Sequence, residues 1–324
     1  IGIAVAGAGY DVDAFANDGA RFAAETGKPL VVAAPQQSVS DRFKALGLAV
    51  YPTEGEAVHA LGQFLSHAEL QRAAADRDPP IPAKPRRIGR AALLDEHASL
   101  ALLASRGVAV ARHTLCTSEA DARTAFESLS GAPVVVKGCT ADASHKSELG
   151  LVRVGVRDAD AVAAAYRAMT DKARAAGIAL SGVIVAELVR GQRELMIGAR
   201  LDPVFGPVVL VGDGGKYVEA MPDAQVLLPS FDAAQVERAL RRLRIAPLLG
   251  GVRGEPALDV AAFCRCAVTV GELMRDASAG ITQLDINPLI VGARGEGCVA
   301  VDAVIYREAA ASTATPVSSR KELS

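Results

Sequence analysis

No apolar run in these 324 residues reaches the roughly 20 residues that a membrane-spanning helix needs, and the first residues show no basic, apolar, cleavable leader. A soluble protein is expected. No charge of one sign dominates either. The formal net charge of -2 argues against a general nucleic-acid or membrane surface, so any phosphate site has to be locally basic. Cysteine is sparse and odd in number. The five positions, Cys116, Cys139, Cys264, Cys266 and Cys298, are scattered, which argues against a disulfide framework and points to a reducing cytoplasm. Cys264 and Cys266 are spaced like half a metal site, but they sit in an apolar helical run, 257–271, where positions two apart do not share a face. No second Cys/His pair follows to complete a zinc site. The chain opens on Ile1 rather than Met, directly in a strand-like run, so further residues upstream are expected.

What is present is globular: 50% hydrophobic and 22% charged residues over a length that fits two domains. Residues 1–75 alternate short apolar runs (1–6, 29–34, 48–51) with helical spacing (11–26, 40–46, 53–70). The first helix stops at Gly27, and the last is read as an amphipathic helix opened by a Thr53/Glu56 capping box. Strands alternating with helices of this length imply a partial doubly wound parallel sheet, the end of a larger domain. Residues 76–89 form a linker, because the stretch 78–87 holds four prolines and three basic residues and cannot propagate a helix. In 90–308, helices are expected at 91–106, 118–129, 158–176, 232–244 and 257–275. Strands are expected at 133–137, 151–156, 182–189, 194–200 and 207–211, with a closing hairpin of 281–291 and 298–305. That mixture reads as an α+β domain, followed by a polar, disordered tail at 309–324.

Several residues in this second region could carry chemistry. Lys137 ends the apolar run Val134, Val135, Val136 and leads into a small, polar loop that holds His145 and Lys146. Such a loop suits backbone approach to phosphate, with two lysines supplying charge; the alternative is an exposed hairpin with solvated lysines. His145 lies amid this loop, where an imidazole can accept a phosphoryl group beside a cation. Gly214 and Gly215 form a flexible turn after a strand and either meet a phosphate or only reverse the chain. In the closing hairpin, Asp285 and Asn287 alternate with Leu284 and Ile286, so the polar pair shares a face and the apolar pair faces the core. A tip at Arg294 and Gly295 puts Asn287 opposite Asp302. That couple is either a magnesium site for a nucleotide or a solvated cross-strand pair.

Read in order, the segments PVVVK (133–137), HKSE (145–148), ELV (187–189), GQRE (191–194), DPVFGPV (202–208), GGKYVE (214–219), PLLGGVRG (247–254), LDINPL (284–289) and VDA (301–303) resemble the ATP-grasp domain of the ADP-forming acyl-CoA (acetate-CoA) synthetases, relatives of succinyl-CoA synthetase. The likeness covers about Arg90 to Tyr306, and residues 1–70 resemble the end of the flavodoxin-like domain that precedes it in fused members. The implied fold is therefore α/β and α+β, a partial doubly wound sheet followed by an ATP-grasp domain. The implied reaction joins a small carboxylic acid to coenzyme A with ATP, through an acyl phosphate and phosphohistidine, giving ADP and phosphate. ATP/ADP and Mg2+ are the implied ligands, with coenzyme A as co-substrate. The resemblance places Lys137 and Lys146 on ATP phosphates, the backbone of Glu187, Leu188 and Val189 at the adenine, and Glu194 in the nucleotide cleft. Gly214 and Gly215 lie at the phosphates and Asn287 and Asp302 on the metal. Asp285 steadies the phosphoryl-accepting histidine, and His145 is the second phosphorylated histidine.

Four departures from the family pattern stand out: Leu151 in place of a glycine, Glu148 in place of an aspartate, Ala186 in place of a glutamine, and Asp213 with Lys216 in place of apolar residues. The CoA-binding domain and the one bearing the principal phosphohistidine are absent, so those domains or an alpha-type subunit are expected partners. An oligomer is also expected, with no nucleic acid and no membrane. Two other readings stay open: a different ATP-grasp carboxylate ligase, and a non-catalytic nucleotide-binding module.

Overall fold

In the computed structural model of the chain, the residues described are 2–3, 11–75, 91–129, 133–142, 149–216, 218 and 220–308. The chain divides into two compact units, Ile1–Ile81 and Pro82–Ser324. Among the described residues, no helix is long and apolar enough to cross a membrane.

The first unit runs β1 (Gly2–Ile3), α1 (Val12–Thr26), β2 (Val31–Ala33), α2 (Gln37–Ala45), β3 (Ala49–Tyr51) and α3 (Glu54–Ala75). The strands pair in parallel in the order β1-β2-β3, as helical crossovers require. Asp11 caps α1 by accepting from Ala14 N at 2.9 Å, and Gly27 ends it in the left-handed conformation with φ 62°. One face of the sheet packs Val32 with Ala16, Val39, Phe43 and Leu48. On the other face Val31 and Ala33 meet Ala57, with Tyr51 and Leu61 packed against them. Here the expectation for α3 needs correction. Thr53 does cap it, accepting from Glu56 N at 3.3 Å, but the helix is not amphipathic in effect. Phe64 and Leu70 stay 55% and 57% exposed, because the apolar residues of this 22-residue helix are spread round it rather than gathered on one face.

The second unit opens with β4 (Ala91–Leu93), α4 (Glu96–Ser105), β5 (His113–Cys116), α5 (Glu119–Ser128), β6 (Val134–Cys139), β7 (Val152–Val156), α6 (Ala159–Ala175) and β8 (Gly182–Glu187). It continues with β9 (Arg193–Asp202), β10 (Gly206–Asp213), β11 (Ala224–Leu227), α7 (Ala233–Leu240), α8 (Ala246–Leu249), α9 (Val260–Arg275) and a 3-10 turn (Ala277–Ala279), and ends with β12 (Ile281–Val291), β13 (Cys298–Ala300) and β14 (Ala303–Glu308). These strands make two antiparallel sheets. The smaller has the order β5-β8-β6-β7 and packs one face on α5 and α6 through Val134, Val136, Val183 and Val185. The larger has the order β11-β10-β9-β12-β14-β4, with β13 paired to β12, and packs Leu195, Ile197, Leu284 and Ile286 against Phe263, Val270 and Met274 of α9.

Residues 91–93 are a strand and not helix as expected. Asp95 fixes the boundary by capping α4, accepting from Ala98 N at 2.8 Å, while β4 extends the large sheet beside β14. Besides β4, the elements β5, β11 and α8 and the 3-10 turn were not expected. All are short, and β5 and β11 are edge strands, the latter with burial too weak to impose a pattern on the sequence. Cys266 contacts Cys298 across the core, Sγ to Sγ 3.3 Å, rather than Cys264.

Candidate nucleotide site

On β12 the alternation sends Leu284 and Ile286 into the core and leaves Asp285 and Asn287 half-buried on the opposite face. The register on either side of Asn287 pairs Ile286 with Ala303 and Leu289 with Ala300, which brings Asn287 and Asp302 to the same level of the ladder, as the hairpin spacing implies. Burial first, and then the Asp302 carboxylate beside it, pushes the Asp285 carboxyl up to about 6.

The glycine turn closes on this strand. Gly214 N donates to the Glu194 carbonyl at 3.1 Å, and Gly215 N donates to Asn287 Oδ1 at 2.8 Å. Gly215 has φ +79°, and a Cβ placed there would stand 2.0 Å from Glu194 Oε2, so the Glu194 carboxylate lies directly against the turn. Asp213 is held away from it by a bidentate pair with Arg193, 2.9 and 3.0 Å. Glu194, Gly215, Asp285, Asn287 and Asp302 all line one cleft of about 1330 Å³, whose far wall includes Val152 from the smaller sheet. Arg200 and Tyr306 line the same cleft and were not singled out from the sequence.

Lys137 joins the two sheets. It is buried, and its Nζ donates to Glu96 Oε1 at 2.7 Å and to the Val301 carbonyl at 2.7 Å, with Asp302 Oδ2 4.0 Å away. Lys137 therefore reaches the same carboxylate as the β12 face, but with its charge already met by Glu96. No spacing in the sequence marks Glu96. An acid in the first turn of a helix reads as an ordinary favourable dipole contact, and nothing signals that it is buried.

Glu187 and Leu188 line a separate cavity of about 210 Å³ with Arg112 and Pro133. Arg112 binds the Glu187 carboxylate through its backbone N at 2.9 Å and its Nε at 2.8 Å. Glu187 N donates to the Arg112 carbonyl and Leu188 N to the Pro133 carbonyl, at 2.9 and 3.3 Å. Val189 follows this pair and is half-buried. His145, Lys146 and Glu148 lie outside the described residues. Leu151 fills the core of the smaller sheet, and its carbonyl accepts from Gly138 N at 2.8 Å.

Residues 87–306 match the ATP-grasp domain family. A trans-feruloyl-CoA synthase from an unknown prokaryotic organism is 32% identical over 90% of this chain, and the match spans 41% of that protein. The beta subunit of an ADP-forming acetate–CoA ligase I from Pyrococcus furiosus is 31% identical over 61% of this chain and 84% of that subunit. Among solved structures, the dinucleotide-forming acetyl-coenzyme A synthetase 1 of Ca. Korarchaeum cryptofilum, in complex with coenzyme A and Ca-AMPCP, is 27% identical with a TM-score of 0.62, over 74% of this chain and 98% of that one. The same synthetase is also described with Mg-AMPPCP and its phosphohistidine segment pointing towards the nucleotide-binding site; there the TM-score is 0.56 at 28% identity, over 65% of this chain and 91% of that one. The chain spans well under half the length of the first curated relatives it matches, 29% to 41%.

Proposed function

The chain belongs to the ATP-grasp domain family, within the group of ADP-forming acyl-CoA ligases, and from that premise we propose that it is the nucleotide-binding and phosphoryl-transfer part of such a ligase. One observation carries the reading: the Lys137 ammonium, the Asp302 carboxylate and the Asn287–Gly215 contact gather where the two sheets meet. Over the whole reaction a carboxylate, ATP and coenzyme A become acyl-CoA, ADP and phosphate. This chain's share is the exchange in which the P–O bond to ADP breaks as a P–N bond to a histidine forms, or the reverse.

Magnesium fits the residues present. Asp285 and Asp302 repel each other, which a divalent cation relieves, and Asn287 adds an amide oxygen. Among the described residues, no group of three or more His, Cys, Asp or Glu is placed to hold a metal alone, as suits an ion carried mainly by nucleotide phosphates. When bound, it would neutralise phosphate charge. Asn287 and Asp302 would hold it, and the Gly214–Gly215 turn would offer backbone N–H groups to phosphate. Lys137 and Lys146 would face the phosphates, Glu194 would border the cleft, and Glu187, Leu188 and Val189 would border the base. Asp285, as the carboxylate it becomes above about pH 6, would accept from an arriving histidine.

Residues 1–75 would be the end of a flavodoxin-like domain, with 76–89 the linker, 90–308 the ATP-grasp domain and 309–324 a tail. The acid, coenzyme A and the principal phosphohistidine would be handled by further domains or an alpha-type subunit. Incubation with γ-labelled ATP and Mg2+ tests the reading. Acid-labile label on the parent chain, absent from His145→Ala, is the expected result. Label that persists in that variant removes His145 from the mechanism. Binding without any label identifies a non-catalytic nucleotide module instead.

A further inference from the structure

The residues assigned to nucleotide gather towards one end of the large cleft, and a row of polar side chains towards the other has no role in that assignment. There β9, β12 and β14 carry Arg200, Gln283 and Tyr306 at one level of the ladder, because Gln283 pairs with Arg200 on one side and with Tyr306 on the other. Alternation turns all three to the cleft, since the adjacent residues Ala199, Leu284 and Ile305 are buried on the opposite face. Val208 of β10 pairs with Arg200 and closes the row with an apolar wall. Beside the row, Gly198 has no side chain. A Cβ there would stand 3.5 Å from Asp285 Oδ1 and 3.8 Å from Leu210 Cβ, so the floor between the row and Asp285 stays open.

The row offers a guanidinium, a carboxamide and a phenol. Among the described residues, none of these three groups makes a hydrogen bond within the chain. Arg200 Nη2 lies 3.6 Å from Asp202 Oδ2, too far for one. Asp202 is engaged by its own turn, where Oδ1 accepts from Val204 N and Phe205 N at 2.9 and 3.0 Å. The Arg200 side chain is 66% exposed and keeps its planar fork of N–H donors, a shape that matches phosphate or carboxylate oxygens. Gln283 adds its N–H donors and Tyr306 an O–H. A single arginine on a sheet face is ordinary surface. Three donors side by side in a cleft are a site that needs an acceptor.

We propose that Arg200, Gln283 and Tyr306 form an oxyanion subsite that takes inorganic phosphate, separate from the Asn287–Asp302 couple. Gln283 and Asn287 are four residues apart on β12, about 13 Å of strand, so a phosphate at the row is not a nucleotide phosphate held at Asn287. The choice of phosphate rests on the proposed reaction, which releases it, whereas the subsite itself rests on the row of donors. Asp202 and Asp285 border the row, and their like charge keeps the anion weakly held and exchanging.

NMR titration of the full 15N-labelled chain with potassium phosphate, against potassium chloride at equal ionic strength, tests this at the Arg200 Nε–H and Gln283 side-chain NH2 signals. Both are expected to shift saturably with phosphate and not with chloride. Arg200→Met is expected to raise the phosphate concentration for half-saturation at Gln283 about tenfold, and Arg200→Lys and Tyr306→Phe about threefold each, with the melting temperature unchanged. Saturating Mg-ADP is expected to leave the phosphate shift at Gln283 in place. Shifts that chloride reproduces, or an unchanged half-saturation in Arg200→Met, overturn the proposal. Loss of the Gln283 shift on adding Mg-ADP also overturns it, because phosphate then occupies the nucleotide position. Should Arg200→Met not fold, Tyr306→Phe carries the test, and an unchanged half-saturation there overturns the proposal. A chain that binds phosphate at the row but no ADP overturns the nucleotide reading and upholds the subsite.

Discussion

Lys137 and Asp285 both carry a charge out of water, and both feel the same carboxylate, Asp302, but their surroundings treat them in opposite ways. Lys137 is given a buried counter-charge and a backbone carbonyl, so its desolvation is offset inside the fold. Asp285 is given a like charge and little water, and its affinity for a proton rises. A compensated charge serves the resting structure, whereas an uncompensated one leaves the resting structure strained and ready for a cation or a proton donor. The seam and the sheet face thus meet at Asp302 with different energetic duties.

The largest effect should come from breaking the compensated side. Lys137→Met removes one partner of a buried ion pair, and such a loss costs about 3 to 5 kcal/mol. The expected result in a urea melt is a lowered midpoint with an unchanged slope, most of it recovered when Glu96→Gln is added. If the single and double variants prove equally unstable, Lys137 contributes packing and not charge compensation. The uncompensated side should answer with the opposite sign. The Asp285 carboxyl is raised to about 6 in the folded chain, so between about pH 4 and 6 the folded state holds a proton that the unfolded state has already released. Stability contributed by this group therefore falls as pH rises through that window and stays low above it. Asp285→Asn removes the penalty, and the variant should be more stable than the parent by about 2 to 3 kcal/mol at pH 8, with the difference vanishing near pH 4. A difference that does not change with pH would mean that Asp285 is solvated and the contrast with Lys137 is not real.

How legible these two regions were differs in the same way. The Asp285 face could be read from β12 because strand alternation and hairpin register are local rules, and the ladder from Ile286–Ala303 to Leu289–Ala300 keeps the predicted pairing. The helix starts at 11, 118 and 158 were legible for the same reason, and in the structure Asp11, Ser118 and Asp158 cap those helices. The Lys137 seam was not legible, since Glu96 and Lys137 stand 41 residues apart and meet only through tertiary packing. Strand β4 was hidden because residues 91–93 (Ala91, Ala92, Leu93) suit a helix by propensity, and only the neighbouring β14 makes them a strand. The opposite error occurred at α3, whose apolar residues do not gather on one face, so that Val58, Phe64, Leu65 and Leu70 stay exposed.

The smallest effect is expected at the glycine turn, which meets the β12 face through Gly215 N and Asn287 Oδ1. Gly215→Ala forces an L-residue to hold φ +79°, at a cost of about 1 to 2 kcal/mol. The new methyl would also overlap Glu194 Oε2, but that carboxylate ends a flexible side chain and can swing aside, so the overlap adds little to the loss of stability. What it does change is the position of a carboxylate that borders the cleft and the approach of Gly215 N to Asn287 Oδ1. Nucleotide affinity should therefore fall by more than stability does, measured by calorimetry against a thermal melt on the same variant. A loss of stability larger than that of Lys137→Met would make the turn, and not the buried ion pair, the element that holds the cleft together, and the ranking of compensated over uncompensated charge would have to be reversed.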